Sequence, residues 1–474
     1  MNKKRLFYLL ALNILLFVSS CSMKSGIVNQ VLEEPDFKEV SVHDPSVIYA
    51  DDQYYIIGSH LNFASSKNLI QWNKLSENVE SNTLFDNVEV ELAESFNYAE
   101  TDTLWASDIV QLADGRYYLY YCACEGSSPL STLGVAISDT IEGPYKDQGV
   151  FLKSGTTNLQ GEQFNPSDEP NVIDPHVFYD NEGKLWMVYG SYSGGIFILE
   201  MDENTALPKE NQGYGKKLLG GNHSRIEAPY ILYNKETKYY YLFLSFGGLD
   251  ADGGYNIRVA RSKTPDGPYL DSENQNMISA KGTEGSFFDD TAIEGFGAKL
   301  IGNYQFNNSK KTEKDGYISP GHNSAYYNTE ENKYFIIFHA RFPNYDEYHE
   351  VRAHQMFFNE AGWPVITPLR YSGETIDHYT DDQIEGEYKI INHGKDITSK
   401  IKKPSVIHLK ENGSITGDFK GSWSMDENMN AVVIIDNYKY HGVFISQWDE
   451  YNKKQTMTFS GMSEEGISIF GIKN

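Results

Sequence analysis

One signal recurs five times along this 474-residue chain. Asp44-Pro-Ser-Val-Ile leads through a short turn to Tyr54-Tyr-Ile-Ile, and Asp108-Ile-Val-Gln-Leu leads to Tyr117-Tyr-Leu-Tyr. A third copy runs from Asp174-Pro-His-Val-Phe to Leu185-Trp-Met-Val. A fourth runs from Glu227-Ala-Pro-Tyr-Ile to Tyr239-Tyr-Tyr-Leu, and a fifth from Asn323-Ser-Ala-Tyr-Tyr to Tyr334-Phe-Ile-Ile. In each, the two strand-like runs begin about ten residues apart, the interval of a hairpin. Later stretches echo as well: Ala136-Ile-Ser-Asp-Thr-Ile-Glu-Gly-Pro-Tyr145 matches Ala260-Arg-Ser-Lys-Thr-Pro-Asp-Gly-Pro-Tyr269 in spacing. Units of roughly 50 to 95 residues, each with several strands and no helix, predict an all-β fold and a five-bladed β-propeller, because radial closure leaves few exposed edges. A solenoid requires shorter, more uniform repeats, and a jelly roll does not produce five equivalents. The 34 tyrosines and 40 glycines suit short aromatic strands with many turns.

In a propeller the first strand of each blade lines the central channel. The repeats therefore direct Asp44, Asp108, Asp174, Glu227 and Asn323 toward the axis. Four carboxylates in one confined channel repel one another, and burial raises the cost, so packing alone gives no reason to keep them. Turn capping is the competing reading for Asp beside Pro, and it applies most readily to Asp108. Glycosidic bonds are cleaved by two carboxyl groups, one donating a proton to the leaving oxygen and the other acting as base or nucleophile. A third acid nearby tunes them, since like charge raises a carboxyl pKa and keeps the acid protonated near neutral pH. Trp105 and Tyr192 offer flat faces on which sugar rings can rest. A formal charge of −26 argues against nucleic acid, whose binding requires a basic face, and points to a neutral substrate.

Several segments resemble a known family. His43-Asp44-Pro, Val172-Ile-Asp174-Pro-His176 and Ser224-Arg-Ile-Glu227-Ala-Pro-Tyr-Ile231 are similar to the family 43 glycoside hydrolases, and more narrowly to their two-domain endo-α-1,5-L-arabinanases. Gly253-Gly-Tyr-Asn-Ile-Arg-Val-Ala-Arg-Ser262, Pro320-Gly-His-Asn-Ser324 and Val351-Arg-Ala-His-Gln-Met-Phe-Phe-Asn-Glu-Ala-Gly-Trp-Pro-Val365 carry the narrower likeness. The resemblance implies Asp44 as general base, Glu227 as general acid and Asp174 as the residue that holds the acid's pKa and orientation. It also implies inversion at the anomeric carbon, with base and acid roughly 6.5 to 9.5 Å apart. It makes His322 the holder of one axial metal ion, usually calcium, with water filling most of the oxygen-preferring sphere. Ser191, Arg341, Trp105 and Asp108 become candidate substrate contacts, and plant cell-wall arabinan and arabino-oligosaccharides become the substrate of a monomeric enzyme. The alternatives are an exo-acting α-L-arabinofuranosidase or β-xylosidase of the same fold, and a glycan-binding lipoprotein without catalysis.

The N-terminus reads as an export signal. Lys3, Lys4 and Arg5 precede Leu6 to Val18, apolar except for Asn13, and then Val18-Ser19-Ser20-Cys21, which resembles a bacterial lipobox with Cys21 lipidated. A membrane core needs about 20 apolar residues, so this stretch is too short to span it. The expectation is an exported lipoprotein, attached to the membrane through its lipid alone. Cys122 and Cys124 sit two apart on one strand-like run, about 6.6 Å from each other, and read as buried thiols and not as a disulfide. After Pro368 the texture changes to short runs such as Ala431-Val-Val-Ile-Ile435 and Gly442-Val-Phe-Ile-Ser446 with no propeller repeat. The expected organisation is a signal peptide over 1–21, a linker over 22–38, the catalytic propeller over 39–372 and a small β-barrel accessory domain over 381–474.

Overall fold

The computed structural model describes residues 34–307 and 314–474; Cys21 and the export signal lie outside them. Five of the six sheets are antiparallel blades, each built from strands that follow one another along the chain. Blade I comprises Ser46–Ala50, Gln53–Ile57, Phe63–Ser66 and Trp72–Ser76. Blade II comprises Asp108–Gln111, Tyr117–Cys124, Ser131–Ser138 and Lys146–Ser154. Blade III has His176–Tyr179, Leu185–Tyr189 and Ile196–Asp202, with its outer position shared by Leu207–Pro208 and Lys216–Leu219. Blade IV has Ile226–Asn234, Tyr239–Phe246, Asn256–Ser262 and Ala298–Ile301. Blade V has Ile318–Asn328, Lys333–Arg341, His349–Phe358 and Pro364–Ile366. The described helices are single turns or little more, the longest being Ala93–Ala99, and none of them is long and apolar enough to cross a membrane.

The apolar faces explain why the blades form a ring. Each second strand is apolar on both faces, as in Tyr117–Cys124, buried throughout, so it must be covered from two sides. Tyr55, Phe63, Leu119 and Tyr121 join blades I and II. Tyr118, Tyr120, Val177 and Met187 join II and III, and Val188, Ile198, Ile231 and Leu242 join III and IV. Phe243, Val259, Ile336 and Phe338 join IV and V, and Tyr54, Ile56, Phe335 and Ile337 close V onto I. Burying a side chain of this size contributes about 1.5–3 kcal/mol, and each of these residues is covered only when both neighbouring blades are in place. Residues 34–38, expected as linker, already belong to this closure. Lys38 exchanges backbone hydrogen bonds with Ile70 and Trp72, and Val351 N–H donates to the Val40 carbonyl.

The two matching Gly-Pro-Tyr segments occupy equivalent corners of blades II and IV. Both peptides, Gly143-Pro144 and Gly267-Pro268, are cis. Tyr145 and Tyr269 are buried and donate to the carbonyls of Ile141 and Pro265 at 3.0 and 2.8 Å. After blade V, eight strands from Gly386–Asn392 to Ser468–Lys473 close a barrel around Tyr388, Ile407, Trp423, Phe444 and Phe459. Cys122 and Cys124 are free, buried thiols, as the strand spacing implied.

Candidate active site

Asp44, Asp174 and Glu227 meet at one mouth of the channel, each delivered by backbone that departs from regular strand. Asp44 and Asp174 stand two residues before the first strands of blades I and III, each followed by a proline, in the left-handed region at φ 59° and 55°. Short polar side chains tolerate that conformation, and such residues concentrate at functional sites. Glu227 lies within its strand, but the register against the second strand slips between Glu227 and Tyr230, and Ala228 takes φ 55°. A bulge of this kind re-aims a side chain. It also frees the Ala228 N–H to donate to Asp174 at 3.2 Å, tying two of the acids together.

The surroundings push these carboxyls apart. Burial would raise Asp44, but His322 and His43 outweigh it and hold the carboxyl well below its ordinary range. His322 Nδ1 lies 3.0 Å and His43 Nδ1 2.8 Å from Asp44 Oδ1, while Ser59 donates to Oδ2. Glu227 shifts the other way. Burial raises it, and the opposing pull of His322 and of hydrogen bonds from Tyr255 to Oε1 at 2.6 Å and Ser191 to Oε2 at 2.8 Å does not cancel the rise. Asp174 is raised to about 8 by burial, against His322, with Glu227 and Asp44 adding like charge. His322, buried among the three acids, is lifted to about 9 despite its own desolvation. One mouth thus holds carboxyl groups shifted in opposite directions, Asp44 toward the carboxylate and Glu227 toward the acid form.

A second histidine layer stands behind Asp44. His339 Nδ1 accepts the Asp44 backbone N–H at 3.2 Å and its ring stacks on His43 at 4.1 Å. His43, Asp44 and His339 offer ligand atoms within 4.8 Å of one another. The His339 lone pair is already committed to that N–H and desolvation keeps the ring neutral, so His339 and His43 hold Asp44 in place.

Beside Glu227 opens a hollow of about 390 Å³ whose walls include Trp105, Phe164, Ser191 and Tyr192. Trp105 is half-buried among the residues that line it. Ser191 is nearly fully buried and is placed on the acid, a role the motif reading had not assigned.

Two of the expected substrate contacts lie elsewhere. Asp108 points to the opposite end of the channel. It accepts from Ser46 Oγ at 2.5 Å and from the Val177 N–H at 2.7 Å, and His176 Nδ1 lies 3.5 Å away. Its true counterparts are therefore Ser46 and His176, two residues deeper than Asp44 and Asp174, and the residue of blade II that matches the catalytic level is Ala106. The clue was the shorter interval from Asp108 to its second strand, which a hairpin of variable length concealed. Arg341 is also withdrawn from substrate: it is buried, with Nε donating to Glu347 at 2.6 Å and Nη1 to the Leu249 carbonyl at 2.7 Å, so it anchors the wall. Sequence reasoning missed Tyr255, Ser59, His43 and His339 as partners of the acids. Tyr255 and His43 stand inside recognised segments, whereas Ser59 and His339 reach the site from second strands or their ends, where nothing in the chain order marks them.

Residues 37–292 match the family described as Glycosyl hydrolases family 43, and residues 368–471 match a C-terminal lipocalin-like domain. The chain is 53% identical to the extracellular endo-α-(1→5)-L-arabinanase 2 of Bacillus subtilis, over 96% of this chain and 98% of that protein. It is 48% identical to the extracellular endo-α-(1→5)-L-arabinanase of Thermotoga petrophila, over 93% and 95%. The crystal structure of a family 43 glycoside hydrolase from Bacillus licheniformis superposes with a TM-score of 0.90 at 53% identity, covering 93% of this chain and 99% of that one. Convergent carboxylates on a five-bladed scaffold and these likenesses lead to one assignment: the chain is a glycoside hydrolase belonging to glycosyl hydrolases family 43.

Proposed function

We propose that this enzyme cleaves internal α-1,5-L-arabinofuranosidic bonds of arabinan with inversion. The observation that carries the mechanism is the opposed poise of two carboxyl groups at one channel mouth: Asp44 held low by His322 and His43, Glu227 held high by burial. Asp44, as carboxylate, takes a proton from water as that water attacks the anomeric carbon. Glu227 gives its proton to the departing glycosidic oxygen, and the arabinofuranosyl C–O bond breaks. Asp174, bonded to the Ala228 N–H next to the acid, orients Glu227, and like-charge coupling between the two carboxyls favours keeping a proton on the pair. Arabinan is the substrate in view because relatives at 53% and 48% identity are named endo-arabinanases and because a strongly acidic chain favours a neutral polymer.

The axial residues fit a hydrated divalent cation. Three carboxylates face one imidazole, and both side-chain atoms of Asn323, next to His322, are buried without a protein partner and can serve ordered ligands. His322 would hold calcium, with water completing the sphere, and the ion would supply positive charge beside the acids. Metal analysis before and after chelation, alongside a thermal melt, tests this: calcium absent before treatment and an unchanged melt would reject it. Export accords with relatives named as extracellular, and the lipid anchor at Cys21 rests on the lipobox-like Val18-Ser19-Ser20-Cys21. Cys21→Ser should release the protein from the membrane fraction.

The decisive assay follows products from debranched arabinan. Oligosaccharides should appear first, and Glu227→Ala or Asp44→Asn should lower kcat by roughly 10²–10⁴-fold with the fold intact. Monomer as the sole early product would assign exo action, and full activity in both variants would leave a binding protein.

A further inference from the structure

We propose that Phe287 is a distal substrate platform, over which the arabinan chain passes from the catalytic hollow into a second, polar one; this rests on the arabinanase reading of the cleft. The second hollow, about 620 Å³, adjoins the first and shares its boundary residues His223 and Phe287. Its walls carry Asn165, Asp168, Asn222 and Ser286, an array of donors and acceptors suited to hydroxyl groups.

Phe287 is 67% exposed, an apolar ring standing in water on the ridge between the two hollows. It is held there by backbone and charge. Arg225 Nε donates to Asp290 at 3.1 Å and its terminal nitrogen makes a second bond to the same carboxylate. Asp289 accepts from Thr283 Oγ1 at 2.7 Å and from the Ala292 N–H at 3.2 Å. The Phe288 N–H donates to the His223 carbonyl at 3.1 Å, and Phe288 itself adopts φ 59°, a conformation costly for a bulky residue. Phe288 packs on Tyr192 at 5.7 Å beneath the Arg225 guanidinium, and the Phe287 ring leans on Phe288 at 4.2 Å and on His223 at 5.0 Å.

A strained, multiply anchored segment that presents an aromatic face to solvent gains nothing for the core. It gives a ready surface for the C–H face of a sugar ring, with little entropy left to lose on binding. Tyr192, in the turn between the second and third strands of blade III, donates its N–H to the Ile226 carbonyl at 2.9 Å, and Arg225 directly precedes the strand that carries Glu227, so the platform is rigidly referenced to that residue. A chain bound at Glu227 and crossing Phe287 spans both hollows, which favours attack within a polymer.

The test compares Phe287→Ala, Phe287→Trp and the parent on debranched arabinan and on the shortest arabino-oligosaccharide the parent cleaves. For Phe287→Ala the ratio of kcat/KM between polymer and short substrate should fall roughly tenfold, carried by KM, and Phe287→Trp should restore it. An unchanged ratio in the alanine variant overturns the platform, and so does an equal loss on both substrates. A parent enzyme that releases no arabino-oligosaccharides at all refutes the underlying reading instead, so the two failures are told apart.

Discussion

Asp44 and Glu227 titrate in opposite directions within one channel because their immediate partners differ. Asp44 has imidazoles on one oxygen and a hydroxyl on the other, whereas Glu227 is hydrogen-bonded only by hydroxyls, and the pull of His322 on it does not offset its burial. This makes the pH profile a direct readout. Under the proposed mechanism activity requires Glu227 protonated, so its raised pKa sets the alkaline limb. Two neighbouring carboxyls resist being ionised together, so Asp174→Asn, which ends that coupling, should move the alkaline limb of kcat/KM to lower pH. Tyr255→Phe deletes a hydrogen bond that favours the ionised acid, so the same limb should move to higher pH. Opposite displacements in the two variants test the assignment, and equal profiles would remove Glu227 as the titrating acid. The three acids were legible in the sequence because Asp-Pro and Glu-Ala-Pro recur at strand starts. Asp108 was misplaced because a two-residue difference in hairpin length shifts a residue along the channel without disturbing the alternation.

At the level of elements, the site depends on close backbone approaches as much as on charged groups. Gly58 ends the second strand of blade I directly under the base: a Cβ there would fall 1.9 Å from the His43 carbonyl oxygen and 2.7 Å from Val42. Gly58→Ala must therefore displace the His43–Asp44 peptide. A cost of about 1–3 kcal/mol is expected, read as a lowered midpoint in thermal or denaturant unfolding, together with reduced kcat. A variant with parent stability and parent kcat would show that the peptide has room to move. The bulge after Glu227 belongs to the same class of device, since it turns the acid toward the channel while the flanking residues keep their ladder. Sequence patterning exposes strands through their apolar period, but a bulge leaves that period nearly unchanged, so its position was not readable.

Across the whole molecule, the barrel is built into the wall of the propeller. Arg258, wholly buried in blade IV, donates to the carbonyls of Glu294 and Phe296 and to that of Lys395 on the barrel side. Buried Lys299 bonds the carbonyls of His393 and Asp396 at 3.1 and 2.6 Å. The segment carrying these acceptors continues to Thr398, so close to Gly254 that a Cβ there would meet its backbone at 2.8 Å. Gly247, at the other side of that turn, accepts the Tyr192 hydroxyl at 2.9 Å beside the active site. Removing residues after 380 strips hydrogen-bond acceptors from the buried side chains of Arg258 and Lys299, a loss of about 1–3 kcal/mol for each group left unpaired. The truncated chain should be recovered mainly insoluble or inactive, and a soluble, fully active propeller would show the barrel to be dispensable.

The chain by itself determined the five-fold repeat, the all-β class, the small terminal barrel and the acids Asp44, Asp174 and Glu227, because these rest on local periodicity and on residue types that recur at strand starts. Tertiary structure alone decided that Asp108 and Arg341 serve the scaffold, that Tyr255, Ser191, Ser59 and His339 serve the acids, and that the barrel completes blade IV. Those outcomes depend on which side chains meet across blades. Contacts between residues far apart in the chain leave no period along it.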